Sequence, residues 1–238
     1  MSKLPASPSK PRVHPSPNFG ERRDGRQPHL IVIHYTAMES AEAALDRLCA
    51  PEHEVSAHYL IGRDGDVVQL VDEAKRAWHA GAGEWRGEGD VNSRSIGIEL
   101  DNTGLHPFSE PQMSALSLLV SDIRGRWSIP PEGVLGHSDF APDRKADPGK
   151  RFDWRRLALE GQSIWPNSAN TGSDLSEKAF LTAAGAFGYP CDVGAAHVLS
   201  ALRLRFRPWT EGPLDATDMA IARDLAGRFG VDRSPVSA

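Results

Sequence analysis

HLIVIHY, residues 29–35, is a short β-branched apolar run ending beside a histidine, and it fits a buried strand. RSIGIEL (94–100) alternates cleanly, with Ile96, Ile98 and Leu100 on one face and Gly97 and Glu99 on the other. GVLGH (133–137) is a third, briefer run that also ends on a histidine. AHYLIGRDGDVVQLV (57–71) predicts two strands joined at Asp64-Gly65, a dipeptide that tolerates the positive φ of a tight hairpin turn. Helical signals lie between these runs. SAEAALDRLCA (40–50) places Leu45, Leu48 and Cys49 at helical spacing. Leu116, Leu119, Val120, Ile123 and Trp127 make one apolar stripe, behind a Ser109–Gln112 capping box. The expected class is therefore α/β, a mixed central β-sheet flanked by helices.

The two ends read differently. Residues 1–28 are rich in Pro, Ser and charge and are expected to run extended over the surface. A main domain over 29–165 is followed by a polar linker, PNSANTGSD, at 166–174. Within 175–238 three short helices are expected. The first stops at Gly188; the second carries Ala195, Val198, Leu199, Leu202 and Phe206 on one face; the third carries Met219, Ala222, Ala226 and Phe229 and stops at Gly230. They are expected to form a small bundle of their own. A chain of 238 residues suffices for one substantial core and a small second domain.

A net charge of −5 with no basic block argues against a nucleic-acid partner. No apolar stretch reaches membrane-spanning length, so no membrane partner is expected. The two cysteines, Cys49 and Cys191, are far apart and match neither a disulfide framework nor a metal-ligand spacing. The first residues lack the apolar h-region of a secretory signal, which, with Met1 as the natural start, implies a cytoplasmic protein. Oligomeric state leaves no signal.

Nine histidines exceed what structure alone usually needs. His34 and His137 each end a strand, where a side chain emerges at a sheet rim, and Asp147 follows His137 by ten residues in GHSDFAPDRKADPG. Two imidazoles and a carboxylate suit a catalytic zinc ion, which leaves its fourth position open for water. The spacing alone does not decide, because a lone strand-end histidine is more often a structural hydrogen-bonder, and there is no local HExxH-like motif.

The ordered series IVIHYTA, VSAHYLIGRDG, AWHAG, NSRSIGIEL and GHSDFAPDRKADPGKRFDW resembles the zinc amidases of the AmpD and AmiD type. These belong to the type 2 amidase superfamily that includes the peptidoglycan recognition proteins. The match runs from about Ser16 to Trp154. It implies hydrolysis of the amide between N-acetylmuramic acid, or its 1,6-anhydro form, and L-alanine of peptidoglycan stem peptides. It further implies zinc held by His34, His137 and Asp147, with Glu99 as proton carrier and Lys145 beside the oxyanion. Tyr35, His58, Trp78 and His79 occupy motif positions that line or support the groove, although Trp78 could equally pack in the core. Asn92 would position substrate or cap a turn, and Arg63 would pair with a stem-peptide carboxylate or stay solvated. Muropeptide fragments are the implied partners and muropeptide recycling the implied role. The alternatives are a non-catalytic peptidoglycan-binding protein and a zinc peptidase acting within the stem. The last 60 or so residues resemble the helical peptidoglycan-binding domain attached to AmiD-type amidases, with a generic helical appendage as the alternative.

Overall fold

A computed structural model describes residues 11–167 and 175–230. In chain order the elements are β1 (Arg12–Val13), β2 (Phe19–Glu21), β3 (Leu30–Tyr35), α1 (Ala41–Cys49), β4 (Tyr59–Ile61), β5 (Val67–Gln69) and β6 (Lys75–Ala77). There follow α2 (Val91–Arg94), β7 (Ser95–Leu100), α3 (Glu110–Trp127), β8 (Val134–Gly136), α4 (His137–Phe140), α5 (Trp154–Leu159), α6 (Glu177–Phe187), α7 (Ala195–Phe206) and α8 (Ala216–Phe229). The main sheet has the order β1-β5-β4-β7-β3-β8. β3 runs parallel to β7 and β8, β7 parallel to β4, and β4 antiparallel to β5 across the Asp64-Gly65 turn. The sheet is mixed and flanked by helices.

β3 shows why its sequence is apolar without alternation. Ile31 and Ile33 pack on the α3 side with Leu116, Leu119, Val120 and Ile123. Leu30 and Val32 pack on the other side, with Phe180, Leu202 and Phe206 of the C-terminal helices. A strand covered on both faces has no polar face to display. The α3 stripe lies where periodicity puts it, but the capping box is only half made. Ser109 Oγ accepts from the Gln112 N–H at 3.3 Å, whereas the Gln112 side chain donates to Ile61 O at 2.9 Å and Asp101 O at 3.1 Å.

Two expectations need correction. The C-terminal helices do not form a bundle of their own: Trp85, Leu135 and Phe140 share one core with Phe187, Tyr189, Val198, Met219 and Leu225. Three short helices enclose little volume, and the sheet face opposite α3 needs a cover, so each supplies what the other lacks. Nor do residues 11–28 merely run over the surface. β1 pairs with β5 and β2 with β6, and Ser16, Asn18 and Arg22 are buried. The Arg22 guanidinium donates to Glu73 O at 2.8 Å, Ser93 O at 2.9 Å and Ser95 O at 3.0 Å. Its burial lowers its pKa to about 10, opposed by Glu73. A polar composition here marks backbone-satisfying groups rather than solvated ones. Most of the expected 166–174 linker, and residues 1–10 and 231–238, lie outside the described residues.

Candidate metal centre

The α3-facing alternation of Ile96, Ile98 and Leu100 turns Gly97 and Glu99 to the opposite face of β7. His34 is the register partner of Glu99 on β3, so both leave the sheet on one side. His137 opens α4 directly after β8, and the Ser138 N–H donates to Asp147 O at 3.1 Å, fastening the 141–147 loop to that helix. Three donor atoms converge. His34 Nδ1 lies 3.0 Å from His137 Nδ1 and 2.8 Å from Asp147 Oδ2, and His137 Nδ1 lies 3.1 Å from Asp147 Oδ2. These three buried residues form the metal-competent group among the described residues. Zinc bonds of about 2.0–2.1 Å at a tetrahedral angle set donors roughly 3.3 Å apart, so a small outward relaxation admits the ion.

The remaining ring nitrogens are occupied, which fixes the tautomers by argument. His137 Nε2 lies 2.9 Å from Ala80 O, a pure acceptor, so that nitrogen carries the proton and Nδ1 keeps its lone pair. His34 Nε2 lies 3.0 Å from His79 Nδ1, and His79 Nε2 lies 3.2 Å from Ser95 Oγ, which donates to Val91 O at 2.6 Å. With His34 Nδ1 free to ligate, each N–H in this chain points away from the centre. Burial, opposed by the hydrogen bond with Asp147, lowers the His34 pKa to about 4, and burial puts His79 well below its ordinary value. Both are neutral at pH 7, as ligation requires. Burial would raise Asp147, but its hydrogen bonds with His137 and His34 hold it below the usual carboxylate range.

Gly97 makes room for this arrangement. A Cβ there would stand 2.4 Å from His79 Cγ, so any larger residue displaces the imidazole that supports His34.

The centre opens into a cleft of about 540 Å³ lined by Tyr35, Trp78, His79, Glu99, Arg144 and Lys145 among others. Glu99 Oε2 is buried without a hydrogen-bond partner. Burial and the nearby Asp147 charge, partly offset by Lys145, push its pKa up to about 8. Lys145 is exposed at the cleft. A cavity of about 590 Å³ between α3 and β5 contains no histidine and lies away from the convergent donors.

The chain that carries this buried His–His–Asp group resembles known proteins along most of its length. A family model described as N-acetylmuramoyl-L-alanine amidase matches residues 24–150. The chain belongs to this amidase family. AmiD of Escherichia coli is 35% identical over 234 residues, covering 85% of this chain and 84% of AmiD. The 1,6-anhydro-N-acetylmuramyl-L-alanine amidase AmpD of the same organism is 36% identical over 162 residues, 61% of this chain and 88% of AmpD. The solved complex of E. coli AmiD with anhydro-N-acetylmuramic acid-L-Ala-D-γ-Glu-L-Lys superposes with a TM-score of 0.78 at 32% identity, covering 90% of this chain and 98% of AmiD.

For His58 and Asn92 the structure takes the supporting alternative of the motif reading rather than the substrate-facing one, and Arg63 pairs within the chain. His58 is fully buried beneath the site, with Nδ1 accepting from the Gly97 N–H at 2.9 Å and Nε2 lying 3.1 Å from Lys75 O. Asn92 caps a turn, its Oδ1 accepting from the N–H groups of His79 at 3.0 Å and Ala80 at 2.8 Å. Arg63 is paired with Asp101 at 3.1 Å and donates to Glu39 O, away from the cleft. A motif position identifies a residue near a site without saying whether its side chain faces ligand or support. Tyr35, Trp78 and His79 do line the cleft. Sequence reasoning missed Arg47 and Arg144, which also line it. Arg144 anchors one nitrogen on Ala80 O at 2.8 Å, and its only sequence signal is its place beside Lys145.

Proposed function

We propose that the chain is a zinc-dependent N-acetylmuramoyl-L-alanine amidase. It would hydrolyse the amide between the lactyl group of N-acetylmuramic acid, or its 1,6-anhydro form, and L-alanine of the stem peptide. The observation that carries this reading is the convergence of His34 Nδ1, His137 Nδ1 and Asp147 Oδ2 beside the unpartnered Glu99 carboxyl in an open cleft. The substrate reading is supported by the family and by the ligand in the AmiD complex.

Bound zinc would supply a Lewis acid toward the scissile carbonyl and lower the pKa of water at its open position. Glu99 takes a proton from the attacking water as the C–O bond forms. It returns that proton to the alanine nitrogen as the C–N bond breaks. The carboxylic acid left on the lactyl side then gives its own proton to the freed amine, so the products are a carboxylate and an ammonium group. Burial, with the Asp147 charge adding to it, leaves Glu99 reluctant to stay ionised in the metal-free chain, and a cation alongside it would lower its proton affinity. Lys145 supplies a positive charge at the cleft for the oxyanion of the tetrahedral intermediate. Lys145→Ala is expected to lower kcat by about 10²-fold with zinc content unchanged, as loss of one oxyanion partner does. Near-normal turnover would return Lys145 to the role of a solvated loop charge.

A non-catalytic peptidoglycan binder needs no buried, unpartnered carboxyl beside its ligand group, and keeping one is unfavourable. A stem-peptide peptidase would use the same chemistry with a different pocket. Mass analysis of products from one defined anhydro-muropeptide separates the readings: free stem peptide plus sugar is expected, and intact substrate or shortened stems would overturn the proposal. A recycling role in the cytoplasm is part of the same proposal; the likeness to AmpD, named for the 1,6-anhydro substrate, supports its substrate side only. Among the described residues no helix is long and apolar enough to cross a membrane. Cell fractionation with parallel assays on soluble anhydro-muropeptide and whole sacculi tests it; a fractionated enzyme found outside the cytoplasm and active only on sacculi would overturn it.

A further inference from the structure

We infer that the C-terminal helices position the metal ligand His137, through Arg205 and Tyr189 acting on Asp139. The inference rests on the proposed ligand role of His137. α4, which carries His137 at its first position, is four residues long. One turn of helix does not hold its own geometry, so its orientation is set by whatever grips it. The grip is the Asp139 carboxylate. Its Oδ2 accepts from the Gly136 N–H at 2.8 Å and from Arg205 Nη1 at 2.7 Å, and its Oδ1 accepts from the Tyr189 hydroxyl at 2.8 Å. Two of these three donors come from the C-terminal region.

Arg205 also holds the strand that precedes the ligand. Its Nη2 donates to Val134 O on β8 at 2.8 Å, while its guanidinium lies 4.6 Å from the centre of the Trp154 ring. One α7 side chain thereby spans β8 and α4 and defines the corner at which the chain delivers His137. The corner has no slack: a Cβ on Gly136 would stand 2.8 Å from Pro148 Cδ and 3.2 Å from the Trp154 ring. Pro148 directly follows another of the three candidate ligands, Asp147. Arg205 and Asp139 are each 1% exposed in their side chains, so the pair is shielded from solvent and salt. Arg205 and Tyr189 are positioning residues, and the C-terminal helices are part of the metal site's framework whatever else they bind.

α7 contains its own control. Arg203 pairs with the fully buried Asp218 at 2.5 Å and donates to Gly212 O and Pro213 O, all within the C-terminal region. Breaking that pair destabilises the same helix without touching α4. The test uses the full-length chain, with zinc affinity measured by competition against a chromophoric chelator. The visible absorption of the Co²⁺-substituted protein reports ligand geometry independently of activity.

Tyr189→Phe, which removes one hydroxyl and keeps the packing, is expected to weaken zinc binding about tenfold or more and to shift the Co²⁺ spectrum. Arg205→Lys is expected to retain more affinity than Arg205→Met, because it keeps the charge beside Asp139. Arg203→Met is expected to lower Tm while leaving zinc affinity within about twofold of the parent, measured below every Tm. Wild-type zinc affinity and an unchanged Co²⁺ spectrum in Tyr189→Phe would overturn the inference, as would equal weakening by Arg203→Met. Wild-type zinc affinity in His137→Ala would overturn the metal reading itself, a distinct failure.

Discussion

His34→Ala, His137→Ala and Asp147→Ala are each expected to bind zinc poorly and to turn over anhydro-muropeptide at least about 10³-fold more slowly than the parent. The magnitude follows from the several kcal/mol that a Lewis acid supplies to a developing oxyanion, at about 1.4 kcal/mol per tenfold in rate. The three variants should fail together because the three donor atoms lie within 3.1 Å of one another and, among the described residues, His34, His137 and Asp147 alone make up the metal-competent group. Stability carries an independent reading of the same event. An ion that binds only the folded chain raises Tm in proportion to RT ln(1 + [Zn]/Kd), so zinc is expected to stabilise the parent and a chelator to reverse the gain. The alanine variants show little of this response. Retention of parental zinc content and rate by any one of them would remove that residue from the centre.

Glu99→Gln separates catalysis from stability, moving them in opposite directions. Zinc is expected to stay bound and kcat to fall by on the order of 10² or more, because an amide cannot carry the proton. The metal-free variant is more stable than the metal-free parent at alkaline pH. Burial raises the Glu99 pKa from the ordinary 4.5 to about 8, so between these values the folded chain binds a proton that the unfolded chain has released. Parental stability therefore falls as pH rises through that window. The Tm advantage of Glu99→Gln should be small at pH 5 and reach several degrees at pH 8. Added zinc should narrow it, since the cation favours the carboxylate. Calorimetry of both proteins at the two pH values, with and without chelator, measures this. An advantage independent of pH would mean that the Glu99 side chain is not desolvated, and undiminished turnover would remove it from the chemistry.

The opposition of these effects has a structural origin. Glu99 projects from β7 into the cleft because its neighbours Ile98 and Leu100 are committed to the α3 core. The strand that buries its apolar face must hold a carboxyl on the other, and Oε2 finds no partner there. An unsatisfied, desolvated acid is unfavourable for folding and suited to proton transfer. Arg22 and Arg94, also buried, differ in having their guanidinium groups directed at backbone carbonyls.

Local pattern carried a large part of the fold and the centre. Period-2 alternation in RSIGIEL placed Glu99 opposite the aliphatic face, the unbroken HLIVIHY run marked a strand covered on both sides, and Asp64-Gly65 marked the hairpin, all properties that neighbouring residues encode. The ordered motifs then pointed to His34, His137 and Asp147, which periodicity alone leaves ambiguous. Tertiary structure decided the rest, because it depends on groups distant in sequence meeting in space. It chose support over groove lining for His58 and a turn cap over substrate contact for Asn92, wove residues 11–28 into two sheets, and spread the C-terminal helices over the sheet. It also joined Arg205 to Asp139 across 66 residues. Side-chain direction along a strand follows from chain geometry within a few residues, whereas the partner of a buried charge is chosen by packing, and no local pattern records that choice.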